Sequence, residues 1–237
     1  MSLSDDVEWS LLIFSFLSVI SVSLAIHGSS AGNNISGIIA LVLLICGALT
    51  SLLHLGRYAR AWRSASNILR SPVSREIISM ILYGLSLVSA LIFPGTLTSA
   101  FVTITGLLFL FAIDGIYFFT RVEKGGIHSG QALFSGIMVI SFLQSSILPF
   151  VFIALVRLVI SAASIRKSEF NKTVFPVRFI RMAVLFLLIV SSLVIPGDIG
   201  TGVTVILLAG EFIDRYLFYL DFNPLSFSKT IHNTIKY

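Results

Sequence analysis

QALFSGIMVISFLQSSILPFVFIALVRLVISAASI, from Gln131 to Ile165, carries one charged residue, Arg157, in an otherwise uncharged and mainly apolar run. As a single helix rising about 1.5 Å per residue it would measure about 50 Å, against roughly 30 Å of bilayer hydrocarbon. One span is too short for it, and two spans joined by a tight turn fit. Gln144-Ser145-Ser146 followed by Pro149 predicts the turn, because proline opens a helix easily and interrupts one badly. The same length rule applied outward predicts spans over residues 9–27, 35–55, 77–93 and 99–119 before this hairpin. It predicts 131–148 and 149–165 within the hairpin, and 180–195 and 201–220 after it.

Composition agrees. Of 237 residues, 56% are hydrophobic and 11% are charged, with a mean hydropathy of +1.00. Soluble domains carry roughly a quarter charged residues, so a soluble enzyme, a disordered chain and a nucleic-acid-binding module are all excluded. The single cysteine, Cys46, lies in an apolar run and supports neither a disulfide framework nor a cysteine-rich metal site. The acidic stretch Asp5-Asp6-Val7-Glu8 before the first span is unlike the basic start of a signal peptide, so that span reads as a permanent helix. The expected fold is all-α: a polytopic membrane protein of about eight transmembrane helices in one integral domain, 1–237.

The loops divide sharply by charge. If side A is the face bearing the N-terminus, the turns on side B are short and hold no Lys or Arg. All 16 basic residues fall in side-A segments or in the helix halves nearest side A. The positive-inside rule then places both termini in the cytoplasm of a multi-pass cell-membrane protein. Two similar segments, LVSALIFPGTLT with AIDGIYFF and IVSSLVIPGDIG with FIDRYLFY, suggest two four-helix bundles related by a repeat, with halves at 1–125 and 126–237.

The richest segment follows the second span: His54-Leu55-Gly56-Arg57-Tyr58-Ala59-Arg60-Ala61-Trp62-Arg63, then Ser74-Arg75-Glu76. Arg57, Arg60 and Arg63 recur at a spacing that gives one cationic helix face. The plainer reading is a topogenic loop that binds lipid phosphates. Against it, His54 ends one span and Glu76 begins the next, which sets an imidazole and a carboxylate at similar depth on the side-A rim. Proton-coupled quinone chemistry needs such a titratable pair.

The string HLGRYARAWRSASNILRSPVSREI resembles the signature of the DMSO reductase anchor-subunit family, the membrane subunit of complex iron–sulfur molybdoenzymes. GEFIDRYLFY, residues 210–219, is similar to the last span of that family. The resemblance implies a membrane anchor that oxidises menaquinol and passes electrons to an iron–sulfur subunit, which in turn serves a molybdopterin catalytic subunit. It implies that His54 and Glu76 bind quinol and handle its protons; Arg57 and Arg60 beside them can stabilise negative charge developing on the headgroup. It also implies that the Arg57, Arg60, Arg63 and Arg75 set lies at the partner-facing surface, with Arg63, Arg70 and Arg75 expected to dock the partner, and that iron–sulfur clusters and molybdopterin reside only in the partners.

A second constellation lies within the spans: Asp114, Arg157, Glu211, Asp214 and Arg215. The last three are spaced i, i+3 and i+4, which predicts one shared helix face. Intramembrane charges are costly unless paired or hydrated. They read either as a structural lock or as a polar wall of the quinol pocket or a proton exit. His27, His54, His128 and His232 offer no facing pair at mid-membrane, so no haem is expected. The competing functional class is a small multi-pass transporter or membrane assembly protein with no redox role.

Overall fold

The computed structural model describes residues 9–54, 72–119, 128–167, 175–194 and 201–222, and these residues are helical with short connections. Eight helices follow in order: α1 (Trp9–Ala31), α2 (Asn34–His54), α3 (Pro72–Ile92), α4 (Thr96–Phe119), α5 (Ala132–Leu143), α6 (Ile147–Lys167), α7 (Phe175–Val194) and α8 (Thr201–Phe222). Each lies where the apolar pattern predicts a span. Among the described residues five are long and apolar enough to cross a membrane, namely α1, α2, α3, α4 and α7. α6 and α8 have the length but carry charge, Arg157 in α6 and Glu211, Asp214 and Arg215 in α8.

α1 forms the centre of the bundle. It packs against α2, α4, α5 and α8, and 56% of its most apolar window is buried, against 22% for α2 and 11% for α3. A helix apolar all round suits such a position. Between helices in lipid the adhesive contacts are hydrogen bonds and close packing, since lipid tails are as apolar as leucine. Ser21 on α1 donates to the Ala40 carbonyl of α2 at 2.7 Å and meets the buried Tyr83 hydroxyl of α3 at 3.1 Å. Ser86 and Thr105 pair at 2.7 Å between α3 and α4. Tyr219 of α8 donates to the Leu11 carbonyl of α1 at 3.2 Å, so the last helix closes on the first.

The expected turn at Gln144-Ser145-Ser146 is present and its chemistry is specific. Ser145 adopts φ +53°. Its N–H reaches the Phe142 carbonyl at 3.0 Å, and the Ser146 N–H reaches the Ser141 carbonyl at 2.9 Å. That pair of bonds is the Schellman ending of a helix, with serine in the left-handed position usually held by glycine. Pro149 then sits in the first turn of α6, where its missing N–H costs nothing.

The hairpin departs from expectation in one arm. A span over 131–148 is expected, yet α5 has 12 residues, about 18 Å of helix. Ahead of it, residues 128–131 form a non-helical bend in which His128, Ser129 and Gln131 are buried. Irregular backbone at membrane depth survives only inside protein that satisfies its polar groups. Two aspartates on other helices do this here.

Candidate functional site: a buried ion cluster beneath the start of α5

Asp114, five residues before the C-terminal end of the described α4 backbone, accepts the two leading amides of α5. Ala132 N–H donates to Oδ1 at 2.7 Å and Leu133 N–H to Oδ2 at 2.9 Å. No side chain on α5 itself caps that end, since Gln131 makes no capping bond. The orphan donors and the positive end of the helix dipole are therefore met by a carboxylate from a distant segment.

Asp214 of α8 holds the same bend from another direction. Ser129 Oγ donates to Asp214 Oδ1 at 3.0 Å. Gly130 lies so close to α8 that a Cβ would collide with the Asp214 carbonyl oxygen and approach Phe218 Cβ at 2.9 Å. The Gly130 N–H donates to His128 Nδ1 at 2.9 Å, and the His128 ring packs edge-on to Phe218 at 5.3 Å. In neutral His128 this leaves the proton on Nε2.

Below the bend, carboxylates and guanidinium groups interlock across α6, α7 and α8. Arg157, at the midpoint of α6, donates from Nη1 to Glu211 Oε1 at 2.8 Å and from Nη2 to Asp214 Oδ2. It also reaches Met138 Sδ and Ser135 Oγ of α5, each at 3.4 Å. Arg181 of α7 donates from Nη2 to Glu211 Oε1 at 2.9 Å and to Asp214 Oδ2 at 3.4 Å. These residues, with Asp114 and Arg215, are all 0–3% exposed. Charges so deeply buried persist only when paired.

Glu211, Asp214 and Arg215, expected on one helix face, are all buried, and the first two share the ion pairs of Arg157 and Arg181. Arg215, about 100° of helix beyond Asp214, lies 6.0 Å from the Phe218 ring and within electrostatic reach of Asp114. It joins neither Arg157 nor Arg181 in their ion pairs. The sequence reading missed Arg181, His128, Ser129 and Ser135. Arg181 was grouped with the flanking basic residues, although a second arginine inside an apolar helix signals a carboxylate partner.

For the rim pair, Glu76 lies in the second turn of α3 and is 8% exposed, and among the described residues no hydrogen-bond or charged partner meets its carboxyl. Its neighbour Arg75 is exposed. His54 closes α2, but its side chain, together with Arg57, Arg60, Arg63 and Arg70, lies outside the described residues. Depth can still be compared. The Ser86–Thr105 bond ties α3 and α4 together, and ten residues from it toward side A, about 15 Å along each helix, come Glu76 and Gly115. Glu76 therefore lies at the depth of Asp114.

Apolar helices around a buried ionic interior define an integral, polytopic membrane protein. The family model of the DMSO reductase anchor subunit (DmsC) matches residues 4–170, more than half of the chain. The chain belongs to that family, whose members anchor DMSO reductase in the membrane. No curated protein and no solved structure matches it.

Proposed function

We propose that this chain oxidises menaquinol at its side-A rim and passes the electrons to an iron–sulfur subunit that serves a molybdopterin catalytic subunit. In this reading all eight helices lie in the bilayer, both termini are on side A, and the partners dock there through Arg63, Arg70 and Arg75. The iron–sulfur clusters and molybdopterin belong to the partners, and the anchor holds no haem.

The observation that carries the reading is Glu76, a buried carboxyl with no protein counter-charge among the described residues. Burial of such a group is costly unless a ligand engages it or it exchanges a proton. A quinol hydroxyl does both, since its oxidation releases two protons and two electrons. His54 ends α2, which packs against α3. An imidazole there can accept the second hydroxyl proton, while Arg57 and Arg60 stabilise negative charge developing on the headgroup.

In membranes containing the assembled complex, His54→Ala and Glu76→Gln should each abolish menaquinol-dependent turnover. Activity with an artificial donor that reduces the catalytic subunits directly should remain. Normal assembly with parental menaquinol turnover in both variants would overturn the proposal and leave the transporter or assembly-protein class standing.

A further inference from the structure

The ion cluster has more donors than acceptors. Arg157 Nε, Arg181 Nε and Nη1, and Arg215 Nε, Nη1 and Nη2 are buried with no hydrogen-bond partner among the described residues. Only one carboxylate oxygen, Glu211 Oε2, is in the same state. Leaving one buried polar atom unmet costs about 1–3 kcal/mol, and more for a charged group. The three unmet nitrogens of Arg157 and Arg181, beside the same two carboxylates, and the three of Arg215 call for oxygen atoms that the described side chains do not supply.

A cleft leads to Arg181 and Asp214 at the edge of the cluster. It is lined by His128, Ser129, Ser161, Arg178, Arg181 and Asp214, with Leu217 the only apolar member. Ser161 and Arg178 are half-buried and form its outer lip, while Asp214 and Arg181 are buried and form its floor. A polar site with several donors and acceptors is where buried water resides. Asp114, Glu211 and Asp214 balance Arg157, Arg181 and Arg215 in formal charge, and Arg178 adds one positive charge at the lip.

We infer that this cleft and the cluster behind it hold water and form the exit by which protons from quinol oxidation leave on side A; the inference rests on the quinol reading above. As each quinol O–H bond breaks, the electrons pass to the partner's iron–sulfur cluster and the proton passes to Glu76 or to water beside it. At the depth of Asp114 the proton enters the chamber and crosses on water and carboxylate oxygens, Glu211 Oε2 among them. His128 relays it at the mouth: Nδ1 takes the proton as its bond from the Gly130 N–H opens, and Nε2 releases its own proton outward. The guanidinium groups stay charged throughout and orient the water.

Water-radiolysis footprinting of the intact complex tests the hydration directly. Met138 is fully buried, but its sulfur lies 3.4 Å from Arg157 Nη1, so only internal water can deliver a radical to it. Oxidation of Met138 as fast as that of a solvent-exposed methionine supports the chamber, and an unreactive Met138 overturns it. The transport role is tested with Ser161→Leu, which plugs the lip, and His128→Ala. Each should slow menaquinol turnover at least about tenfold and raise the solvent deuterium isotope effect, with KM and artificial-donor activity unchanged. Imidazole should partly restore His128→Ala. Parental rates and isotope effects in both variants, or a loss expressed in KM without imidazole rescue, would overturn the exit. If Glu76→Gln is inactive while Ser161→Leu is normal, only the exit falls; if Glu76→Gln is also normal, the quinol reading falls with it.

Discussion

Asp114 and Asp214, on two different helices, hold the same bend: Asp114 accepts the amides of Ala132 and Leu133, and Asp214 accepts the hydroxyl of Ser129. They also occupy matching places in the two similar sequence segments, AIDGIYFF and FIDRYLFY. Asp114 caps a helix within electrostatic reach of Arg215, and Asp214 anchors the ion pairs of Arg157 and Arg181.

Removing the cap should therefore loosen α5. Asp114→Ala leaves two buried amides without acceptors and should lower stability by about 2–4 kcal/mol. Asp114→Asn keeps one acceptor oxygen and should cost less. Melting temperatures of the detergent-purified subunit check the order, and an Asp114→Ala variant melting with the parent would refute it.

Arg157→Met should be the most damaging single change in the cluster. It leaves Glu211 and Asp214 facing Arg181 alone, and breaking a buried pair from one side costs about 3–5 kcal/mol. Adding Glu211→Gln should recover part of the loss, because one uncompensated charge disappears. Membrane abundance and melting temperature of the single and double variants measure this. A double variant no better than the single would remove the charge-balance explanation.

Ser145→Gly should stabilise the protein. The left-handed conformation costs a residue with a Cβ about 1–2 kcal/mol, and glycine returns some of that gain as unfolded-chain entropy. The expected net gain is about 0.5–1 kcal/mol. Ser145→Val should instead destabilise, since a branched side chain tolerates positive φ poorly. The opposite order of melting temperatures would contradict the Schellman geometry.

The purified subunit should show no Soret absorbance at stoichiometric level. His27 and the end of α2 at His54 lie toward opposite ends of the bundle, and His128 Nδ1 is engaged by Gly130 N–H. A reducible Soret band at one haem per chain would overturn this.

The helices were readable from the sequence because apolar runs of bilayer length are a physical requirement, and the hairpin was readable because Pro149 and the polar triplet mark a turn. The shortness of α5 was not. Residues 131–148 are almost uniformly suited to a span, yet the helix ends at Leu143 in the turn formed by Gln144-Ser145-Ser146, and the carboxylates that hold its start lie 18 and 85 positions away in sequence. The cluster was half visible. Charges in apolar helices announce themselves, but their partners depend on helix packing, which is why Arg181 was missed. The rim pair of His54 and Glu76 remains a reading of spacing, joined by the burial of Glu76.

α1 leaves the ribosome before the helices that will surround it, so during synthesis the surface destined for the centre of the bundle meets lipid. Its serines suit that interval. Ser15 and Ser23 bond to carbonyls of their own helix, at Leu12 and Val19, and Ser21 finds Ala40 as soon as α2 emerges. Ser23 reaches the Gly136 carbonyl much later, and the contact of Tyr219 with Leu11 spans 208 positions. A chain stalled before α8 thus presents Leu12 and its neighbours uncovered to the bilayer. Cellular surveillance of membrane proteins would encounter this chain as incomplete until its final helix is inserted.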